Sequence, residues 1–218
     1  MSRPVILVVG AGPGVSGSVA RRFADGGYDV ALLGQDQQVL DQLTVDLGAR
    51  GATVGHAVVD VTDEQAARDA VHHFGEHTGR IDVLHFNPSA FREEDPLTLT
   101  VAGLLEDVAL GVGALLTAVQ AARPFMSAGG RISVTGSMAA DEPWERAASL
   151  GVQKAGVRNL VHSIDKTLAP DGIRAVSVTV RGALAREGAF TPDRVADAIW
   201  DAVATGDADW RSEVPYGG

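Results

Sequence analysis

The chain has 218 residues, 45% of them hydrophobic and 21% charged, with a net charge of −10. That length and balance suit one soluble domain with a full core, and the acidity, with no Lys/Arg cluster, argues against a nucleic-acid partner. There is no cysteine, which excludes disulfides, thiolate nucleophiles and Cys-ligated metals.

The chain starts MSRPVILVVGAGPG. Its apolar run up to Val9 is too short for a signal peptide or a membrane span, so a cytoplasmic location and no membrane partner are expected. From there, short β-branched runs alternate with segments of helical period. VILVV precedes a helix over 16–24, DVALL one over 39–47, and ATVGHAVVDV one over 64–74. IDVLHF precedes a helix over 104–125, RISVTG one over 147–168, and IRAVSVTV one over 195–203. Strands apolar on both faces, alternating with helices, predict a parallel sheet covered on both sides. Right-handed crossovers then make a Rossmann-type doubly wound sheet, three layers α/β/α, with ligands at the carboxyl ends of the strands. No linker or repeat interrupts the pattern, so 1–218 reads as a single domain with a short tail over 205–218. Gly26-Gly27 and the segment APDGIR (169–174) fit helix stops, with no function attached.

The first chemical feature is VVGAGPGVSGSVARRFA. A glycine-rich turn between a strand and a helix lets backbone N–H groups and the helix dipole meet a pyrophosphate; the alternative is a tight turn with no ligand. Two registers compete. Gly10, Gly14 and Ser16 begin where the strand stops, whereas Gly12, Gly14 and Gly17 form a formal GxGxxG that starts two residues late. The first is preferred, because the turn must begin at the strand end.

With later segments in view, the chain from Val5 to about Val203 resembles the short-chain dehydrogenase/reductases, an NAD(P)-binding Rossmann family. The glycine loop matches that family's GxxxGxG except at Ser16. VVDVTDEQA matches its segment after strand three, and Phe86-Asn87-Pro88-Ser89 takes the place of its NNAG. GGRISVTGS matches strand five, with Ser137 at the catalytic serine, and Lys154 follows at the expected distance. The resemblance implies a dinucleotide held by Gly10, Gly12, Gly14, Val15, Gln35, Asp60, Val61, Asn87 and Lys154, with Ser137 and Lys154 as catalytic residues and no metal. Members that prefer NADP usually offer a base at Gln35 or Pro13 for the 2′-phosphate. Here no base is present and Asp36 is near, so NAD is favoured over NADP.

The same comparison exposes departures. Leu150 stands where the family's tyrosine handles a proton, VALGVGAL supplies no asparagine, Arg181-Gly182 replaces Pro-Gly, and the segment that closes over substrate is short. Candidate replacements for the proton donor are Asp141, Glu142 or Glu145, if burial raises a carboxyl, or Tyr216 in the tail; Tyr28 lies at the wrong end of the sheet. His73 and His77, with Glu76 between them, share a helix face but lack a third metal ligand. His85 reads as a packed core histidine, and Trp144 and Arg146 as either pocket lining or packing. Gly111, Gly113, Ala114, Ala118, Ala121 and Ala122 allow close helix approach, and the resemblance implies a homodimer or homotetramer through the two long helices. The expected function is an NAD(P)-dependent oxidoreductase acting on a small carbonyl or alcohol, with Ser137 orienting the substrate oxygen and Lys154 holding the ribose. The alternative is an inactive dinucleotide-binding sensor or partner subunit.

Overall fold

The structure, a computed structural model, describes residues 3–218. Seven parallel strands form one sheet in the order β3-β2-β1-β4-β5-β6-β7. They are β1 Val5–Val9, β2 Asp29–Gly34, β3 Val54–Val58, β4 Val83–Phe86, β5 Arg131–Ser137, β6 Arg174–Val180 and β7 Glu213–Tyr216. β1 and β4 are buried along their whole length, as expected of strands covered on both faces. Chain direction across the sheet reverses between β1 and β4, so their carboxyl ends flank a crevice. The ladder there continues past the strand ends, Asn87 N–H donating to Val9 O at 3.0 Å.

Helices α1 Val15–Asp25, α2 Gln37–Ala49 and α7 Pro192–Ala204 cover one face. Phe23, Leu40 and Ile199 meet Ile6, Val8 and Leu32 in one core. Helices α3 Glu64–Thr78, α4 Val101–Val108, α5 Ala114–Ala122 and α6 Ala148–Leu168 cover the other, where Leu115, Val157 and Phe74 pack on Leu7, Leu84 and Ile132. The six strand-and-helix pairs expected from the sequence all form, in the expected doubly wound arrangement.

Two features differ from expectation. The segment 205–218 is not a plain tail: Glu213–Tyr216 adds a parallel edge strand to β6, with Val180 opposite Tyr216. Pro215 within it lacks the N–H a further strand would need, which suits an edge. The helix expected over 104–125 begins at Val101 and is interrupted by a π-helical turn at Ala109–Gly113. The whole run Val101–Phe125 is long and apolar enough to cross a membrane. Its Leu115, Ala118, Ala121 and Ala122 are instead core residues packed on the sheet.

Candidate functional site

Gly10 ends β1 with φ +78°, a conformation that favours glycine, and a Cβ there would stand 2.7 Å from Pro88 Cδ. Gly10 and Ala11 N–H both donate to Leu33 O, at 2.9 and 2.7 Å, folding the loop over β2. At Gly34 a Cβ would meet Ala11 O at 2.6 Å, so the end of β2 must also be bare. Ser16, the departure from GxxxGxG, turns its hydroxyl back to accept Gly12 N–H at 2.9 Å. Gly17 lets α1 approach the loop, since a Cβ there would lie 2.5 Å from Gly12 O. Each competing register therefore holds a glycine the structure requires.

α1 starts at Gly14 with no side-chain cap. By contrast, α2, α3, α4 and α7 are capped by Asp36, Asp63, Thr100 and Thr191. The first N–H groups of α1, from Val15 on, thus lack a side-chain acceptor at the mouth of the crevice. Beside them is a groove of about 430 Å³, lined among others by Gly10, Gly12, Gln35, Val61, Ser89 and Leu110. Val61 is buried, and Asp60 is folded into its own turn, its Oδ1 accepting from Thr62 N–H at 2.9 Å and Thr62 Oγ1 at 2.7 Å. Those bonds, the backbone one foremost, hold its carboxyl below the usual range.

Ser137 and Lys154 sit further along, at the carboxyl end of β5 and on α6. The Ser137 hydroxyl accepts Ala139 N–H at 3.2 Å, which leaves its own proton free to donate. Lys154 is 6% exposed, and its Nζ donates to Thr135 O at 3.0 Å. Burial pushes the ammonium down to about 8. One turn before it stands Leu150, half-buried. Gly151 brings this turn within close reach of Ala139 O, 3.1 Å from a notional Cβ.

The expected substitutes for a proton donor are placed otherwise. Asp141 pairs with Arg158 and, at 2.8 Å, with Arg181, and these guanidinium bonds hold its carboxyl below the usual range rather than above it. Glu142 pairs with Arg181 at 2.6 Å. Glu145 is exposed and lines an apolar cavity of about 560 Å³ with Leu99, Leu104, Trp144 and Val152. Arg146 lies over the Trp144 ring at 5.6 Å. Tyr216 donates to Ala189 O at 2.6 Å and meets Phe190 edge-on, fastening the 182–190 loop. Tyr28 packs edge-on against Phe23 at the opposite end of the sheet. His85 is fully buried, its Nδ1 3.0 Å from Ser133 Oγ, and burial pushes it down to about 3. His73 and His77 lie on the exposed side of α3.

Sequence reasoning passed over Gln153, which is fully buried. Its Nε2 donates to Asp107 O at 2.7 Å, and its Oε1 accepts from Ser89 Oγ at 2.8 Å. It leans on the π-helical turn: a Cβ at Gly111 would stand 2.3 Å from Gln153 Cγ. Asp107 was passed over too. Its carboxylate is buried and takes both Arg92 Nε and Nη2 at 3.1 Å, tying the loop after β4 to α4. Burial is the largest single influence and raises that carboxyl, but Arg92 and Ser149 together lower it by more, and the net shift is downward. The one signal available was Gly-Val-Gly within a long apolar helix, which makes room for a large neighbour.

Residues 4–185 match the short chain dehydrogenase family. The chain is similar to sulfoacetaldehyde reductase 2 of Chromohalobacter salexigens, 28% identical over 178 residues that cover 80% of this chain and 70% of that protein. It is 30% identical over 173 residues to oxidoreductase asL5 of Sarocladium schorii, covering 77% and 67%. A short chain dehydrogenase from Burkholderia cenocepacia, solved in complex with NADP, superposes with a TM-score of 0.91 at 25% identity over 99% of this chain and 96% of that one.

Proposed function

Since the chain belongs to the short chain dehydrogenase family, we propose that it is an oxidoreductase that binds a nicotinamide dinucleotide and interconverts a small carbonyl and its alcohol. The observation that carries this reading is the pairing of two sites at the carboxyl ends of the strands. One is the uncapped start of α1 beside the glycine cradle, and the other is the buried Lys154 bonded to Thr135 O, two residues before Ser137. The cradle fits a pyrophosphate: Gly14 at the start of α1 has nothing within 4 Å of where a Cβ would stand, so the backbone there is open, and the α1 N–H groups supply donors and a favourable dipole end.

The dinucleotide, when bound, supplies or accepts the hydride. Ser137 donates a hydrogen bond to the substrate oxygen and orients it, keeping its own proton. Lys154 keeps two N–H groups beyond its bond to Thr135 O, one to hold a ribose hydroxyl and one to face the substrate oxygen. Leu150 carries no proton, Asp141 is held ionised by two arginines, and the Tyr216 hydroxyl is engaged with Ala189. By elimination, Lys154 gives the carbonyl oxygen its proton, directly or through one water. Its position near neutrality, about 8, suits a general acid.

Asp36, capping α2 at the end of β2, puts a carboxylate beside the groove where a 2′-phosphate would bring further negative charge. NAD is therefore the proposed cofactor ahead of NADP. Exposed Val101 and Val152 line the apolar cavity between α4 and α6, which supports self-association into a dimer or tetramer.

The test is a titration with NADH and NADPH, followed by turnover of a panel of small aldehydes and ketones. Binding of NADH ahead of NADPH, with turnover lost on Ser137→Ala, is expected. No binding of either cofactor at millimolar concentration would sink the proposal.

A further inference from the structure

Gln153 fixes the direction of a buried hydrogen-bond chain, and that chain ends in the groove. The Asp107 carbonyl can only accept, so the amide must turn its Nε2 toward it, at 2.7 Å. The amide oxygen then faces Ser89 and can only accept in turn. The Ser89 hydroxyl must therefore send its one proton to Gln153 Oε1, at 2.8 Å. Gln153 has no freedom to flip, being fully buried with Gly111 pressed against its Cγ. Ser89 itself is exposed and lines the groove beside Gly10, Pro88 and Leu110.

We propose that Ser89 is a ligand-binding residue of this groove that acts only as an acceptor, its polarity set by Gln153, and that it recognises a ribose hydroxyl of the dinucleotide. A free serine hydroxyl could donate or accept; this one is left with lone pairs alone. It therefore selects a ligand O–H donor and repels a phosphate or carboxylate oxygen, which brings no proton. Ribose hydroxyls are the natural O–H donors of a dinucleotide laid along the glycine cradle. Gln153 is the positioning residue, because it touches no ligand and acts through Ser89. This inference rests on the dinucleotide reading above and adds a side-chain contact to it.

The experiment measures affinity for NADH and for analogues each lacking one ribose hydroxyl, in the intact protein and in Ser89→Ala and Ser89→Thr. Ser89→Ala is expected to weaken NADH roughly three- to tenfold, the worth of one hydrogen bond. Ser89→Thr, which keeps the hydroxyl, restores it. One analogue binds the intact protein and Ser89→Ala alike, because its missing hydroxyl is the one Ser89 accepts. If Ser89→Ala leaves NADH affinity unchanged, or weakens every analogue as much as NADH, the assignment of Ser89 falls while the dinucleotide reading stands. If the intact protein binds no NADH, both fall.

Discussion

Lys154 Nζ donates to the carbonyl oxygen of Thr135 at 3.0 Å, joining the middle of α6 to the end of β5. The bond aims a buried ammonium at the segment that ends in Ser137. With Leu150 one turn before it, the proposed proton transfer falls to this ammonium. Carbonyl reduction should then need protonated Lys154 and fall as pH rises through about 8. Lys154→Arg keeps a cation for the ribose but cannot release a proton near neutral pH. It should retain NADH binding within severalfold while losing two or more orders of magnitude in kcat, roughly the contribution of general acid catalysis. A pH-rate profile for Lys154→Arg that matches the unaltered protein would remove the acid role.

The same burial has a thermodynamic consequence. The unfolded chain protonates Lys154 near 10.5 and the folded chain near 8, so between those values the unfolded state binds more protons. Stability therefore rises with pH across 8 to 10.5, and the full penalty of burying the charge is present below 8. Lys154→Met, of similar length and uncharged, should be more stable at pH 7 by about 1–3 kcal/mol. Urea unfolding at pH 7 and at pH 10 checks this, the advantage shrinking at the higher pH. A variant less stable than the parent at pH 7 contradicts it.

His85 sets an acid limit by the same reasoning. It is fully buried and pushed from 6.5 to about 3, so the unfolded state takes up a proton that the folded state refuses. Stability from this group falls as pH drops from 6.5 toward 3, at about 1.4 kcal/mol per pH unit. His85→Asn keeps a polar partner for Ser133 and cannot charge. Its unfolding free energy should depend less steeply on pH between 6 and 4 than the parent's, as urea titrations would show; parallel curves would count against it.

The fold was legible because each strand is a β-branched run and each helix keeps its period, and those patterns are local. The seventh strand was not: Glu213–Tyr216 is four residues with a proline inside, too short to show a period, and its identity comes from the edge of β6. The glycine cradle, Ser137 and Lys154 could be placed from spacing along the chain. Gln153 could not, because its meaning lies in Asp107, Gly111 and Ser89, 42 to 64 residues away. Asp141 could not be settled for a similar reason. Its loop position offered a proton donor only if burial raised the carboxyl, whereas Arg158 and Arg181 arrive from α6 and the end of β6 and lower it.

Tyr216 is a structural residue in this arrangement. Its hydroxyl ends on Ala189 O at 2.6 Å and its ring on Phe190, and both partners belong to the loop after β6. Tyr216→Phe should keep kcat and lose about 0.5–1.5 kcal/mol of stability, the worth of a neutral hydrogen bond. Loss of turnover with unchanged stability would return Tyr216 to the chemistry.

The π-helical turn offers a test of how α5 and α6 are fitted. Gly111 is buried, and a methyl group there would stand 2.3 Å from Gln153 Cγ and 2.5 Å from its Cδ. These are the middle atoms of a side chain held at both ends, so they cannot swing aside. Gly111→Ala should therefore destabilise by about 1–3 kcal/mol, the usual range for overpacking, despite the better helix propensity of alanine. Gln153→Ala alone should also destabilise, since it opens a cavity and leaves the Asp107 carbonyl without its donor. Combined, the new methyl occupies part of the space the amide left, and the double variant should be more stable than the sum of the two losses predicts. A double-mutant cycle by chemical denaturation measures that coupling. Strict additivity would mean that the turn relaxes around the methyl and does not depend on Gln153 for its shape.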